Sequence, residues 1–326
     1  INLKGNKLND KRLLKLVDQC RTKQVLDYVR QHCPRCSTDT NVSANAKGKK
    51  GKKGKKDQIE QHIQDTVEQL RHKLHVIHVT DDVPLVSLDE TVKVVRPHIV
   101  CCIISNVSFS TDTFKKFIQL QTKLHDSVCE KRIAATIATH DLASFVPGNL
   151  IYTAYPPNEV KIIPLGRCKQ VTGLELFSNL QKEAENLRKE KKRNVYSGIH
   201  KYLHLLEGKP VYPCLMNGDR VISLPPITNS DCTKISEKTK NIFVEVTSAS
   251  GQGVCRQVLN VLLQETLLLG IGTAEPVSDG AILQSSFHRL SVQQVKVVDT
   301  EGNLKVVYPS RTDLVFEDKS ITVVRE

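Results

Sequence analysis

Apolar residues recur along the chain with two spacings, one typical of helices and one typical of strands. Phe114, Phe117, Ile118 and Leu124 follow helical spacing after Ser110 or Thr111, residue types that cap helix N-termini. The segments 98–105 and 242–247 are short, β-branched and apolar, which predicts strands, the first of them buried on both faces. Further strands are predicted at 74–80, 133–142, 150–155, 292–298, 304–309 and 321–324, further helices at 57–70, 174–206 and 254–268, and a hairpin at 210–227 that turns at Asn217-Gly218.

The predicted helices and strands are mixed along the chain and do not alternate regularly. A doubly wound parallel sheet would require such an alternation, so the pattern predicts an α+β fold, a mixed sheet with packed helices. The longest apolar run, 99–104, is too short to cross a bilayer, and no membrane partner is expected.

The first residues have the form of the end of a leucine-rich repeat. Ile1, Leu3 and Leu8 occupy the inward positions, and Asn6 stands where such repeats place a turn asparagine. A single repeat cannot bury its own face, and the chain begins at Ile1 instead of a methionine. We therefore expect further repeats upstream that bind a protein partner, with residues 1–32 forming the end and helical cap of the solenoid. An ordinary helical hairpin is the alternative.

Two short segments, 47–56 and 182–201, carry most of the net charge of +12. Residues 33–56 show no regular spacing of apolar residues and end in KGKKGKKGKK, which predicts a flexible basic linker. Residues 57–326 then form the α+β domain, with a basic helix inserted near 175–201. Clustered cations favour a polyanionic partner, although such runs are also found on solvated helices with no partner. The predicted RNA-binding residues are Lys47, Lys49, Lys50, Lys52, Lys53, Lys55, Lys56, Lys182, Arg188, Lys189, Lys191, Lys192, Arg193 and Lys201.

The ten cysteines are spaced irregularly, and most of them lie in apolar runs, which indicates a reducing compartment. Cys33 and Cys36 form a lone CxxC motif, and no second pair stands at a spacing suited to structural zinc. No phosphate-binding glycine loop and no nucleophile elbow is present. The sequence predicts neither a metal site nor a cofactor.

Three segments in the same order, 96–109, 117–142 and 223–247, resemble the archaeal and eukaryotic phenylalanyl-tRNA synthetase beta subunit. The resemblance extends from about Arg96 to Asp313 and covers the editing module of that subunit, its third and fourth B-domains. The order of repeat end, basic linker and such a module resembles leucine-rich-repeat-containing proteins with a synthetase-like domain. The resemblance implies an α+β fold and a cytoplasmic role in translation, and no aminoacylation machinery lies within the matched region.

In the synthetase family this module hydrolyses tyrosine wrongly attached to phenylalanine tRNA. The resemblance places a candidate editing pocket at His140, Asp141, Asn229, Asp231, Thr233 and Glu245. Each has an ordinary structural alternative: the Asx residues can cap turns, and the histidine can be a core residue. Where eukaryotic synthetases show Gly-Asp-His-Ser, this chain has Ser230-Asp231-Cys232-Thr233, so a near-neutral proton-transfer group is replaced by a thiol.

Charge and resemblance together predict a non-enzymatic RNA-binding protein of the translation apparatus, with rRNA or tRNA on the ribosome as its partner. Two alternatives stay open. The first is a hydrolase that edits mischarged tRNA(Phe) in trans. The second is a protein-binding scaffold whose lysines contact no RNA.

Overall fold

The structure, a computed structural model, describes residues 72–190, 198–272 and 288–326. The predicted repeat end, the basic linker and the helix at 57–70 lie outside these ranges. Fourteen strands and three α-helices are present in the described residues. The strands are β1 His72–Ile77, β2 Val86–Leu88, β3 His98–Ser105, β4 Thr136–Asp141, β5 Leu150–Tyr155, β6 Lys161–Ile162, β7 Val171–Thr172, β8 Tyr212–Asn217, β9 Arg220–Leu224, β10 Thr228–Asn229, β11 Ile242–Ser248, β12 Arg289–Asp299, β13 Leu304–Tyr308 and β14 Ile321–Arg325. The helices are α1 Thr111–Asp126, α2 Gly173–Glu190 and α3 Gln252–Leu268.

One mixed sheet dominates the fold and confirms the α+β class. Its main strand order is β10-β9-β8-β5-β2-β12-β3-β11-β4. In addition, β1 and β13 pair with β12, and β14 pairs with β1. β6 and β7 form a separate two-stranded sheet. β12 holds the sheet together, because its first half pairs with β1 and β3 and its second half with β2 and β13. β4 stands at one end of this order, paired to β11 on one side.

The core lies around β3 and β11, the two strands that the sequence marks as most apolar. Six consecutive residues of β3, Ile99–Ile104, are buried, which confirms that this strand is covered on both faces. Helices α1 and α3 pack against each other and on β4, β3 and β11 through Phe117, Leu120, Val258 and Leu262. A second, smaller core joins α2 to β8 and β9 through Leu176, Leu180 and Tyr212.

Helix α1 begins as the sequence predicts, at the N-cap Ser110. The Ser110 hydroxyl accepts a hydrogen bond from the Thr113 N–H, and the Thr113 hydroxyl accepts one from the Ser110 N–H. This reciprocal capping satisfies two backbone donors that the first turn of a helix otherwise leaves unpaired. The cap matters for function because α1 forms one wall of the cavity described below.

We expect Ser110→Ala to lower the free energy of unfolding by about 1 kcal/mol, the usual cost of losing an N-cap. Denaturant unfolding followed by circular dichroism measures this change. Ser108→Ala is the matched control, since Ser108 is exposed two residues earlier and uses only its backbone in a hydrogen bond. Equal effects of the two substitutions would contradict the capping role.

Candidate functional site

Three of the six candidate editing residues form one closed polar cluster. His140 on β4, Thr233 and Glu245 on β11 are at most 1% exposed. The His140 Nδ1 lies 2.8 Å from the Thr233 hydroxyl, and its Nε2 lies 4.0 Å from the Glu245 Oε1. Neither Glu245 carboxylate oxygen has a hydrogen-bond partner in the described residues. Phe145 and Phe243 surround the imidazole, so the cluster is shielded from solvent.

Asp141 caps a turn, and Asp231 links two segments that are distant in the chain. Asp141 accepts hydrogen bonds from the Ala143 N–H and from the Thr239 hydroxyl. Asp231 accepts one from the Gly166 N–H at 3.0 Å and forms an ion pair with Lys234. The hydrogen bond from Gly166, followed by that from Lys234, lowers the pKa of the Asp231 carboxyl below its usual value. Both carboxylates are therefore engaged in contacts within the protein.

Asn229 is the one candidate of the six that lines a cavity beside β4. Its Nδ2 donates to the Thr139 carbonyl at 3.2 Å. This cavity has a volume of about 730 Å³ and runs along the free side of β4. Residues of α1 line one wall, the Pro225–Asn229 segment lines another, and the Gly198–Tyr202 segment closes a third.

The cavity is cationic. Arg132, Lys201 and Lys234 line it, and no aspartate or glutamate is among its described lining residues. Lys201 and Lys234 each pair with a carboxylate outside the lining, Asp126 at 3.1 Å and Asp231 at 3.0 Å, and Arg132 has no such ion pair in the described residues. Arg132 donates to the Pro226 and Ile227 carbonyls at 2.8 Å, and its guanidinium lies 4.6 Å from the centre of the Tyr202 ring. These contacts hold positive charge at the cavity wall, a suitable environment for an anionic ligand.

His125, which lines this cavity, is held neutral. The His125 Nε2 accepts a hydrogen bond from the Ile137 N–H at 2.9 Å, so its lone pair is occupied. Burial, followed by the nearby Arg132 guanidinium, lowers the pKa of His125 to about 3. A neutral imidazole whose lone pair is already used is poorly suited to accept a proton from water.

A second groove, of about 840 Å³, lies between α2 and the 3₁₀ helix Gly198–Leu205. Three of the predicted RNA-binding residues, Lys182, Lys189 and Lys201, line it together with Glu185 and Glu207. Lys201 also lines the cavity beside β4, so the two depressions meet at this residue. Arg188 is exposed on the same helix and pairs with Glu185 at 3.1 Å. The other predicted RNA-binding residues, at 47–56 and 191–193, lie outside the described residues.

Sequence reasoning did not single out Arg132, His125 or Gln121, although all three line the cavity beside β4. Arg132 reaches its position because Glu130, Lys131 and Arg132 all have left-handed backbone angles, with φ of 48°, 55° and 68°. Its partners lie more than ninety residues away in the chain. No spacing in the sequence could have revealed that contact.

The seven described cysteines form no disulfide with one another, and four of the five buried ones lie on or beside β3, α1 and α3. Burial raises the pKa of the Cys129 and Cys255 thiols to about 12.

Among the described residues no group of three or more His, Cys, Asp or Glu side chains is placed to hold a metal. The helices in the described residues are also too short or too polar to cross a membrane.

Comparison with known proteins places these features in a recognisable context. No family profile matches the chain. The phenylalanine–tRNA ligase beta subunit of Homo sapiens is 38% identical over 164 residues, which is 50% of this chain and 25% of that protein. The beta subunit of Dictyostelium discoideum is 31% identical over 223 residues, 68% of this chain and 31% of that protein. The chain therefore spans about a quarter to a third of the length of these curated relatives.

The fold is also found in a solved structure. An N-terminal fragment of the phenylalanyl-tRNA synthetase beta subunit from Pyrococcus horikoshii aligns with a TM-score of 0.55 and 24% identity. The alignment covers 72% of this chain and 56% of the fragment, and the mixed α+β fold matches that of the fragment. Sequence and fold together show that this chain is homologous to the editing-like B3/B4 region of the phenylalanyl-tRNA synthetase beta subunit.

Proposed function

We propose that this chain is a non-enzymatic RNA-binding protein that acts in translation in the cytoplasm, with tRNA or rRNA on the ribosome as its partner. One observation carries the proposal: Lys182, Lys189 and Lys201 line a single groove that meets the cationic cavity beside β4 at Lys201. The names of the relatives, ligases acting on tRNA, support RNA as the polyanion.

The spacing of the lysines suits a nucleic-acid backbone. Lys182 and Lys189 are seven residues apart on α2, which is two helical turns, so both face the groove about 10 Å apart along the helix axis. Both are exposed, and neither has an ion-pair partner among the described residues. Phosphates that contact them release counterions, which makes the binding electrostatic and independent of base sequence.

The geometry of the candidate editing residues favours binding over hydrolysis. Deacylation requires a group that orients or activates water at the bound ester. Here Asp141 and Asp231 bind other groups of the protein, His140 and Glu245 lie in the closed cluster, and His125 is held as a neutral acceptor. The proposal therefore assigns the cavity a binding role and requires no metal or cofactor.

Homology to the synthetase editing region supports one alternative, a hydrolase that edits mischarged tRNA(Phe) in trans. Asn229 in the cavity wall is the residue that favours it, because an amide there could hold the amino acid. The other alternative is a scaffold that binds protein through the proposed upstream leucine-rich repeats and contacts no RNA. The three proposals predict different results in the same two assays.

We expect the purified chain to co-sediment with ribosomes or bind tRNA at low salt and to release them as salt rises, because exposed charges are screened. Sucrose-gradient sedimentation at increasing KCl measures this release. We also expect tyrosyl-tRNA(Phe) to deacylate no faster with the protein than in buffer. Turnover well above buffer that is lost in Asp231→Ala would establish the hydrolase instead, and the absence of RNA binding at every salt concentration would leave the scaffold.

A further inference from the structure

The free side of β4 carries a set of hydrogen-bonding groups that the protein satisfies only in part. In an antiparallel strand the N–H and C=O of one residue point to the same side, and successive residues alternate. β4 pairs with β11 on one side, and the contacts of Ile137 N–H with His125 and of the Thr139 carbonyl with Asn229 show that residues 137 and 139 point away from β11. Both residues are buried and line the cavity.

Three polar groups in this cavity have no partner in the part of the chain that the structure describes. They are the Ile137 carbonyl, the Thr139 N–H and the Gln121 Nε2, the last of which is a buried amide nitrogen. Gln121 lies directly beside Thr139, because its Oε1 accepts a hydrogen bond from the Thr139 hydroxyl at 3.2 Å. Buried unpaired groups of this kind are rare in proteins and call for a ligand or ordered water.

We infer that this cavity binds an unpaired nucleobase of an RNA strand through the Watson–Crick edge of the base. The inference rests on the proposed RNA-binding function and adds the part of the ligand that the cavity recognises. An acceptor and a neighbouring donor on one peptide edge complement the paired donor and acceptor that every free base carries. A base in a duplex has this edge occupied and is excluded.

The surroundings of the three groups suit a base that is attached to a phosphate chain. Leu165, Ile199 and Pro226 supply apolar wall for the flat faces of the ring. Lys201 stands where the cavity meets the groove along α2, so phosphates on the groove lysines would lead the strand to this cavity. Backbone contacts in the groove position the strand, and the β4 edge reads the base.

Cytosine is a suitable probe of this arrangement. It presents a donor, N4, beside an acceptor, N3, and these match in order the Ile137 carbonyl and the Thr139 N–H. The experiment compares three fluorescein-labelled 12-mer RNAs that end in cytidine, in N3-methylcytidine or in an abasic residue. Fluorescence anisotropy at fixed salt measures their affinities for the full chain.

We expect the cytidine end to bind about tenfold more tightly than the N3-methylcytidine end or the abasic end. This ratio corresponds to the discrimination typical of a two-point base contact. Equal affinity for all three would overturn base recognition while leaving the proposed RNA binding intact. No binding of any of the three would instead contradict the proposed function. The two failures are therefore distinguishable in one titration.

Thr139→Pro tests the same contact from the protein side. Proline removes the backbone N–H, and an edge strand tolerates it where that N–H points away from the sheet. We expect the preference for the cytidine end to disappear in Thr139→Pro, while all three RNAs still bind through the groove lysines. A preference that persists in a folded Thr139→Pro protein would overturn the assignment, and if this variant does not fold, the comparison of RNA ends in the native chain decides.

Discussion

Reversing two charges on α2, with Lys182→Glu and Lys189→Glu in one variant, is expected to weaken RNA binding by about 50-fold near 0.1 M salt. The physical reason is that both side chains are exposed, unpaired and aligned on the groove, so each substitution removes one phosphate contact and adds a repulsion. The slope of the logarithm of affinity against the logarithm of salt concentration should also fall, by about 1.4 for single-stranded RNA. Anisotropy titrations at several KCl concentrations measure both quantities.

The control for this variant changes the net charge by the same amount at another place. Lys238 and Lys240 are exposed and line neither the groove nor the cavity beside β4. We expect Lys238→Glu with Lys240→Glu to reduce affinity only slightly, through the general loss of positive charge. If the two double variants lost affinity equally, the groove would not be the binding surface and the excess charge alone would account for RNA binding.

The fold was largely predictable because its strongest signals are local. The apolar, β-branched run of β3 predicts a strand covered on both faces, and six buried residues confirm it. Ser110 was predicted as one of two possible caps of α1, and its capping box confirms the assignment. The short strands β2, β6, β7 and β10 escaped prediction, since two or three residues show no periodicity.

The structure describes part of the segment near 175–201, where the sequence predicts an inserted basic helix. Its apolar spacing from Leu174 onward corresponds to α2, whose Leu176 and Leu180 are buried while Lys182 and Lys189 face solvent. α2 is described to Glu190, and a 3₁₀ helix follows from Gly198. The sequence predicted the charged face of this helix, while its buried stripe was found only in the structure.

The candidate site was less predictable, because residue type does not separate a turn cap from a ligand-binding residue. Asp141 and Asp231 lie where the resemblance expects pocket residues, yet Asp141 binds the backbone of its own turn, and Asp231 binds the Gly166 N–H of a distant segment and Lys234. The cavity beside β4 is built from α1, the left-handed turn at Arg132 and the Pro225–Asn229 segment. Those segments meet only through tertiary contacts, such as the hydrogen bonds from Arg132 to Pro226 and Ile227.

His125 is expected to make the stability of the chain depend on pH with a definite sign. Burial lowers its pKa from 6.5 to about 3 in the folded chain, so the unfolded chain binds more protons between these two values. The stability that His125 supports is therefore fully present above about pH 6.5 and is lost as the pH falls toward 3. From pH 7 to pH 5 the expected loss is about 2 kcal/mol.

His125→Gln isolates this contribution from the titration of the carboxylates. A glutamine oxygen can accept the hydrogen bond from the Ile137 N–H that the imidazole accepts, and it does not titrate. We expect the native chain to lose about 2 kcal/mol more than His125→Gln between pH 7 and pH 5 in urea unfolding. His204→Gln, at an exposed histidine, should follow the native chain. Parallel pH profiles for the native chain and His125→Gln would mean that the imidazole titrates alike folded and unfolded, and hence that the wall of the cavity beside β4 is open to water at this position.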